Sequence, residues 1–344
     1  MEADLVKRAG VPFTAVPAAG VAGVGARALP GNLWKLSLGF SAARRVIRKF
    51  RPDVLFFTGG YVAVPVALAA RLPVRGQTRP RTLFYVPDIE PALAVRSLVR
   101  FADHIAVTTE DSRAYYPDHP KVTVTGYPVR PELKTWDPDA ARRTIGLVPD
   151  LPTLLVLGGS RGARSINHAV LNILSELLQV MQVVHVSGHT DWQAVEEARQ
   201  KLALDGSLSQ EILTRYHAYP YLHEELGAAM TAADLIVSRA GASTLGELPM
   251  FGLPAILVPY PYAWRYQQVN ARYLAEKGAA VVVDDNQLST RLWSEVRQLM
   301  DDGERRNRMQ QAMRALAQPK AASSIARILQ DLAVSTPGKG REAW

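Results

Sequence analysis

Apolar runs recur along this chain, and each one stops at glycine, proline or a short polar turn. In the earlier part PFTAVPA, DVLFFTGGY, TLFYVPD, HIAVTTE and KVTVTGYP read as strands, with a helix over 33–50 between the first two. In the later part TLLVLGGS, VVHVSGH, DLIVSRAG, AILVPYP and AAVVVDD repeat the style, each followed by a helical or turn-rich stretch. A run such as 154–157, LLVL, lacks the alternation of a half-exposed strand, so it suits a strand covered on both faces. Strands alternating with helices predict parallel sheets of βαβ units, an α/β fold. A chain of 344 residues is long for one core, which favours two domains. The Pro- and Asp-rich stretch 134–152 lacks a long apolar run and places the junction near 140. The expected organisation is therefore 1–140, then 141–334, then a disordered tail over 335–344.

Composition narrows the chemistry. There are no cysteines, which excludes thiolate catalysis, disulfides and cysteine-bound metal. The seven histidines are scattered without an H-E-x-x-H pattern, so no metal and no cofactor is expected. Asp137 and Asp139 spell a D-x-D, but beside Pro138 and ahead of AARRTIG they read as a helix cap. No apolar run reaches the roughly 18 residues of a membrane span. The opening MEADLVKRAG is no signal peptide, and a cytoplasmic protein is expected. The formal charge of +8, from 40 Lys and Arg against 32 Asp and Glu, favours anionic partners. Arg71, Arg75, Arg79 and Arg81 crowd one segment, and Arg96 and Arg100 share a face if helical; an ordinary solvated face is the alternative. Leu33, Trp34, Leu36, Leu38 and Phe40 stand among few charges in 27–40. Apolar residues rimmed by basic ones suit an anionic membrane surface, with core packing of that helix as the competing account.

Two turns carry the candidate chemistry. In LLVLGGSRGARSIN, residues 154–167, Gly158, Gly159 and Gly162 let the backbone approach whatever lies above the strand's carboxyl end. A helix starting near Ala163 would aim its free amides at the same spot, so an anion, best a phosphate, is the expected guest. An unoccupied tight turn is the other reading. The spacing matches neither G-x-G-x-x-G nor the P-loop, and Ser160 follows Gly159 directly, so a nucleophile elbow is unmet. In VSRAGASTLGE the strand ends at Arg239, and Gly241, Ala242, Ser243 and Thr244 open a helix that carries Glu247. Two anion sites at strand ends could hold one diphosphate, and a carboxylate one turn deeper could accept both hydroxyls of a ribose. A glutamate favoured by the helix dipole is the simpler account of Glu247. Tyr262, Gln267, Gln268 and Asn270 follow AILVPYP, and their amides suit a neutral, hydroxyl-rich sugar or an exposed helix face.

GGSRGARSIN, SRAGASTLGE, GLPAILVPYP and YQQVNA in this order, with RPDVLFFTGGYVAVP and GYPVRPEL upstream, resemble the family 28 glycosyltransferases over nearly the whole chain. The resemblance implies a GT-B fold, two Rossmann-like parallel-sheet domains facing across a cleft, the donor in the later one. It implies inverting transfer of N-acetylglucosamine from UDP-N-acetylglucosamine to lipid I (undecaprenyl-diphospho-muramoylpentapeptide), giving lipid II for peptidoglycan. By position it assigns Ser160 to the donor phosphate, backbone at Leu222 to uracil, and Ala242, Ser243 and Thr244 to the diphosphate. Glu247 falls to the ribose, Gln267 to the sugar hydroxyls and Arg130 to a further nucleotide contact. Gly59, Gly60, Gly158, Gly159, Gly162, Gly241, Gln268 and Asn270 are possible further contacts. The implied partners are UDP-N-acetylglucosamine, lipid I and an anionic membrane surface on the inner face, with no nucleic acid.

Two departures from the family pattern stand out. The family opens with a strand and a G-G-T-G-G-H loop, whereas this chain starts about one strand–loop–helix unit later, roughly 30 residues or more. Either Met1 is an internal methionine or the chain is truncated, and no general base is identifiable, so the catalytic residue is unknown. At YVPDIEPALA, 85–94, a substrate-binding asparagine of the family has no counterpart, and Asp88 or Glu90 falls near its place. A different lipid acceptor, a truncated non-catalytic UDP-sugar binding protein and a dinucleotide oxidoreductase are the alternatives; the missing fingerprint counts against the last.

Overall fold

The computed structural model describes residues 3, 6–7, 9–20, 25, 27–72, 78–159, 162–204, 206, 208–262 and 265–335. The chain forms two compact units, one of Met1–Val86, Pro91–Val124 and Ser323–Trp344, the other of Pro87–Glu90 and Thr125–Ala322. The division at Val124 thus falls ahead of the expected 134–152. That stretch instead holds a helix, Pro138–Ile145, inside the second unit. Asp137 caps it, its carboxylate accepting from the Asp139 and Ala140 amides at 3.1 and 3.0 Å, with Pro138 in the first turn. The expected disordered tail lies, but for residue 335, outside the described residues.

The first unit carries a four-stranded parallel sheet in the order β1 (Val54–Phe57), β2 (Arg81–Val86), β3 (His104–Val107) and β4 (Val122–Val124). Helices α1 (Leu29–Phe50), α2 (Ala63–Arg71) and α3 (Leu93–Val99) belong to it. Phe57, Phe84, Val86, Ile105 and Val107 fill its core with Val95 and Leu98. PFTAVPA is not a strand. It runs as irregular chain, and Pro17 lies so near α1 that a side chain at Gly39 would strike its carbonyl. On the same helix the Asn32 side chain donates to the Gly20 carbonyl at 2.7 Å. The arginine cluster is largely spent within the fold: Arg79 and Arg81 pair with Asp103 at 2.7 and 3.1 Å, and Arg71 and Arg100 stack on Phe101. Arg75 lies outside the described residues.

The second unit is built on a six-stranded parallel sheet, β5 (Thr153–Leu157), β6 (Gln182–Val186), β7 (Tyr216–Tyr219), β8 (Leu235–Ser238), β9 (Ala255–Leu257) and β10 (Ala280–Val282). Their spatial order is β10-β9-β8-β5-β6-β7. This is the doubly wound order, with its switch point between β5 and β8. Leu154, Leu155 and Val156 are fully buried, as the unbroken apolar run requires. The strand β7, YHAY, was not foreseen; its polar and half-buried residues suit a sheet edge. Around the sheet pack α4 (Pro138–Ile145), α5 (Arg164–Asn172), α6 (Leu174–Val180), α7 (Trp192–Leu204), α8 (Gln210–Leu213), α9 (Glu225–Ala232), α10 (Thr244–Phe251), α11 (Tyr266–Glu276), α12 (Leu288–Asp301) and α13 (Gly303–Ala315). A final helix, α14 (Ala321–Val334), begins in this unit, while its residues from Ser323 belong to the first.

Candidate functional site

At the carboxyl end of β5 the chain turns through Gly159 and Gly162, both in the left-handed region at φ +77° and +80°. A Cβ on Gly162 would come within 2.6 Å of the Ser187 carbonyl oxygen, so the turn is pressed against the end of β6. The bare residues are needed to let two strand ends meet. Ser160 lies outside the described residues. The neighbouring strand β8 ends at Ser238, and α10 starts at Thr244 after Arg239, Ala240, Gly241, Ala242 and Ser243. The amides of Thr244, Leu245 and Gly246 donate back to the carbonyls of Gly241, Ala242 and Ser243 at 3.0–3.1 Å. The Ala242 and Ser243 amides themselves have no backbone acceptor among the described residues. Unpaired amides at a helix start make an anion site.

Both turns open on one cavity of about 860 Å³, at the switch point of the sheet, where doubly wound folds bind ligands. Gly158, Gly159, Gly162, Gly241, Ser243, Thr244, Glu247 and Gln267 line it together. Glu247 is partly buried, and burial raises its carboxyl above the ordinary range; a bond from Ser243 and the Arg130 guanidinium pull it partway back. Tyr127 is also pushed up by burial and by the Glu247 and Asp88 carboxylates, with Arg130 opposing. Arg130 acts on both through its charge and is not on the cavity wall. Leu222, 6% exposed, follows β7 between Tyr221 and His223. The Tyr221 ring stacks on His189 at 5.8 Å, which sets this turn against the loop whose Thr190 and Asp191 line the cavity.

Other expected residues are elsewhere. Asn270 is fully buried: its amide nitrogen donates to Asp88 Oδ1 at 2.8 Å and to the Ala240 carbonyl at 3.2 Å. Its oxygen accepts from the Ile89 amide at 3.2 Å. Asn270, expected as a further contact, is thus buried and not on the cavity wall. Its work is to tie 87–90 to the turn before Gly241, where burial raises the Asp88 carboxyl. Glu90, also in that segment and 8% exposed, pairs with Arg265 at 3.1 Å. Gln268 points to Asp284 at 3.5 Å and is not on the cavity wall. Gly59 and Gly60 belong to the first unit, in the positive-φ turn between β1 and α2.

The cavity also holds side chains that the sequence pattern did not single out. Arg239 donates to Asp285 and to the Val258 carbonyl through Nη1 and to Ser165 Oγ through Nη2. Arg164 pairs with Asp191 at 3.2 Å, and Asp191 also accepts from Asn167 at 3.0 Å. Ser165 and Asp285 lie 120 residues apart in the chain and carry no local signal of their meeting. Arg164, Ser165 and Asn167 stood within the quoted LLVLGGSRGARSIN and Arg239 within SRAGAS, whereas Asp191 and Asp285 lay in no quoted motif.

Residues 153–328 match the C-terminal domain of glycosyltransferase family 28, and residues 1–77 match its N-terminal domain. A Roseiflexus sp. protein, a "UDP-N-acetylglucosamine--N-acetylmuramyl-(pentapeptide) pyrophosphoryl-undecaprenol N-acetylglucosamine transferase", is 42% identical over 97% of this chain and 82% of its own length. A relative of the same description from Desulforamulus reducens is 38% identical over 96% of this chain and 88% of its own. The crystal structure of Acinetobacter baumannii MurG, 25% identical, covers 96% of this chain and 88% of its own with a TM-score of 0.72. Two parallel-sheet α/β units of the GT-B class, a pair of glycine- and hydroxyl-lined turns meeting at the switch point of the second, and this likeness along the chain agree: the protein belongs to glycosyltransferase family 28, a family of enzymes.

Proposed function

We propose that this enzyme transfers N-acetylglucosamine from UDP-N-acetylglucosamine to lipid I, the acceptor named for its relatives, and so makes lipid II for peptidoglycan. The observation that carries the donor reading is the convergence of the 158–163 and 241–244 turns on one cavity, with Glu247 on its wall. The Ala242 and Ser243 amides, Thr244 and the glycine turn with Ser160 bind the diphosphate. Glu247 takes the ribose hydroxyls, the backbone at Leu222 the uracil, Gln267 the sugar and Arg130 the edge of the nucleotide.

The acceptor hydroxyl attacks the anomeric carbon as the bond to the UDP oxygen breaks, which inverts that carbon. The negative charge growing on the diphosphate is met by amides and helix ends already in place, so little reorganisation is needed at the moment of transfer. On the first unit, Leu33, Trp34 and Leu38 are 53%, 66% and 44% exposed on α1, with Lys35 among them. This face supports peripheral docking on the anionic inner surface of the membrane.

Full-length protein is incubated with UDP-N-acetylglucosamine and lipid I, and lipid II is sought. Formation of lipid II is expected; a donor bound by calorimetry but never transferred to lipid I would overturn the proposed acceptor, and transfer to another lipid would then separate a different acceptor from a non-catalytic binding protein. Binding to vesicles containing anionic lipid is expected to fall with added salt, and equal binding to neutral vesicles at any salt would remove the membrane proposal.

A further inference from the structure

Arg239 lies on the cavity wall with only 13% of its side chain exposed, yet it adds little net charge, because Asp285 sits against it. Its role is geometric. One guanidinium offers five N–H groups in a rigid plane. Here it joins four separate segments: its own position after β8, the Val258 carbonyl after β9, Ser165 in the first turn of α5, and Asp285 after β10. The Ser165 hydroxyl accepts from Arg239 at 2.8 Å and donates to Asp285 at 2.6 Å, which closes the triangle.

The Cζ of the same guanidinium lies over the Tyr260 ring, 5.2 Å from its centre; that ring is 43% exposed and meets Tyr262 edge-on at 5.5 Å. The Tyr260 backbone amide donates to Gln267 Oε1 at 2.8 Å. A backbone N–H can only donate, so this bond decides which end of the Gln267 amide faces it. The oxygen is taken and the Nε2 donors remain for the cavity, where Gln267 lies on the wall with Arg239 and Tyr260.

We propose that Arg239 is a positioning residue for donor-sugar recognition: through Tyr260 it holds the Gln267 amide with its N–H groups toward the sugar. This rests on the donor reading above. The sugar moiety then meets a fixed hydrogen-bond donor beside an aromatic wall, while the diphosphate is held separately by the two turns. Arg239 does not touch substrate; it acts through Gln267.

The test is a double-mutant cycle on the full chain, with dissociation constants for UDP-N-acetylglucosamine and for UDP measured by calorimetry. Arg239→Met and Gln267→Ala are each expected to weaken UDP-N-acetylglucosamine about tenfold, one hydrogen bond's worth. UDP affinity is expected to stay within about twofold, and the double variant to lose about tenfold rather than a hundredfold, because both changes remove one interaction. Tyr260→Ala, at a half-exposed ring, is expected to behave like Arg239→Met and serves if that variant fails to fold. Additive losses, or parallel losses for UDP and the UDP-sugar, would overturn the proposal and make Arg239 a general support of the cavity. Wild-type protein that binds neither compound would instead sink the donor reading itself.

Discussion

His185 sits in the middle of β6 with no exposure, and burial holds its pKa down to about 4 from the ordinary 6.5. Its two ring nitrogens meet Tyr216 OH at 2.9 Å and Asn167 Oδ1 at 3.0 Å. The Asn167 amide nitrogen is engaged by the Ser187 carbonyl and Asp191, so Asn167 turns its oxygen to the ring and can only accept there. The imidazole therefore carries its proton on Nε2 and accepts from Tyr216 on Nδ1. A second proton would land on Nδ1, against the tyrosine bond and away from water. Between pH 6.5 and about 4 the unfolded chain binds this proton and the folded chain does not, so stability falls as pH falls through that window. From the two values the loss is about 2 kcal/mol by pH 5 and about 3 kcal/mol by pH 4, levelling below.

His185→Gln removes the titration. At pH 7 the variant is expected to be less stable by about 1–3 kcal/mol, because one buried partner is left poorly paired. The two proteins should then converge on acidification and cross near pH 5. Hydrogen exchange of the β6 amides, corrected for intrinsic rates, reads this local free energy without requiring the two units to unfold together. A wild-type minus variant difference that stays constant from pH 7 to pH 4.5 would refute the buried neutral imidazole.

Gly162→Ala forces a side chain into φ +80° and against the Ser187 oxygen, so a loss of about 2–4 kcal/mol in urea unfolding is expected, with weaker UDP binding; a loss below about 0.5 kcal/mol would show that the turn is not pressed on β6. Glu247→Gln should weaken UDP by about 1–3 kcal/mol. Because burial raises the Glu247 carboxyl, acidification should weaken UDP binding to the wild type at a higher pH than an ordinary carboxylate would, and calorimetry on the variant should find a shallower slope, that of the ligand's own phosphate. Asp137→Ala should cost about 1 kcal/mol of stability and leave UDP affinity alone, since the side chain caps α4 with two amide bonds; an effect on UDP would revive a ligand role for the D-x-D.

Much of the cavity lining could be read locally. Gly158, Gly159, Gly162, Gly241, Ser243, Thr244 and Glu247 were all foreseen from two short motifs, because a strand end, a bare turn and a helix start are neighbours in sequence. Asn270 shows where local reading fails. Its type suited a sugar, but its three bonds go to Asp88, Ile89 and Ala240, 182, 181 and 30 residues away. PFTAVPA has the composition of a strand and none of the pairing, since Pro17 is committed to α1 at Gly39.

By itself the sequence determined the parallel α/β class, the two bare strand-to-helix turns and the Asp137 cap, all consequences of residues adjacent or one helical turn apart. Only the tertiary structure decided that β5 and β8 are neighbours, that Ser165, Arg239 and Asp285 meet, and that the Gln267 oxygen is taken by the Tyr260 amide. An apolar strand encodes burial but not which strand lies beside it. The order of the sheet is set by how all the helices pack at once, and every side chain that reaches across it inherits its partner from that order.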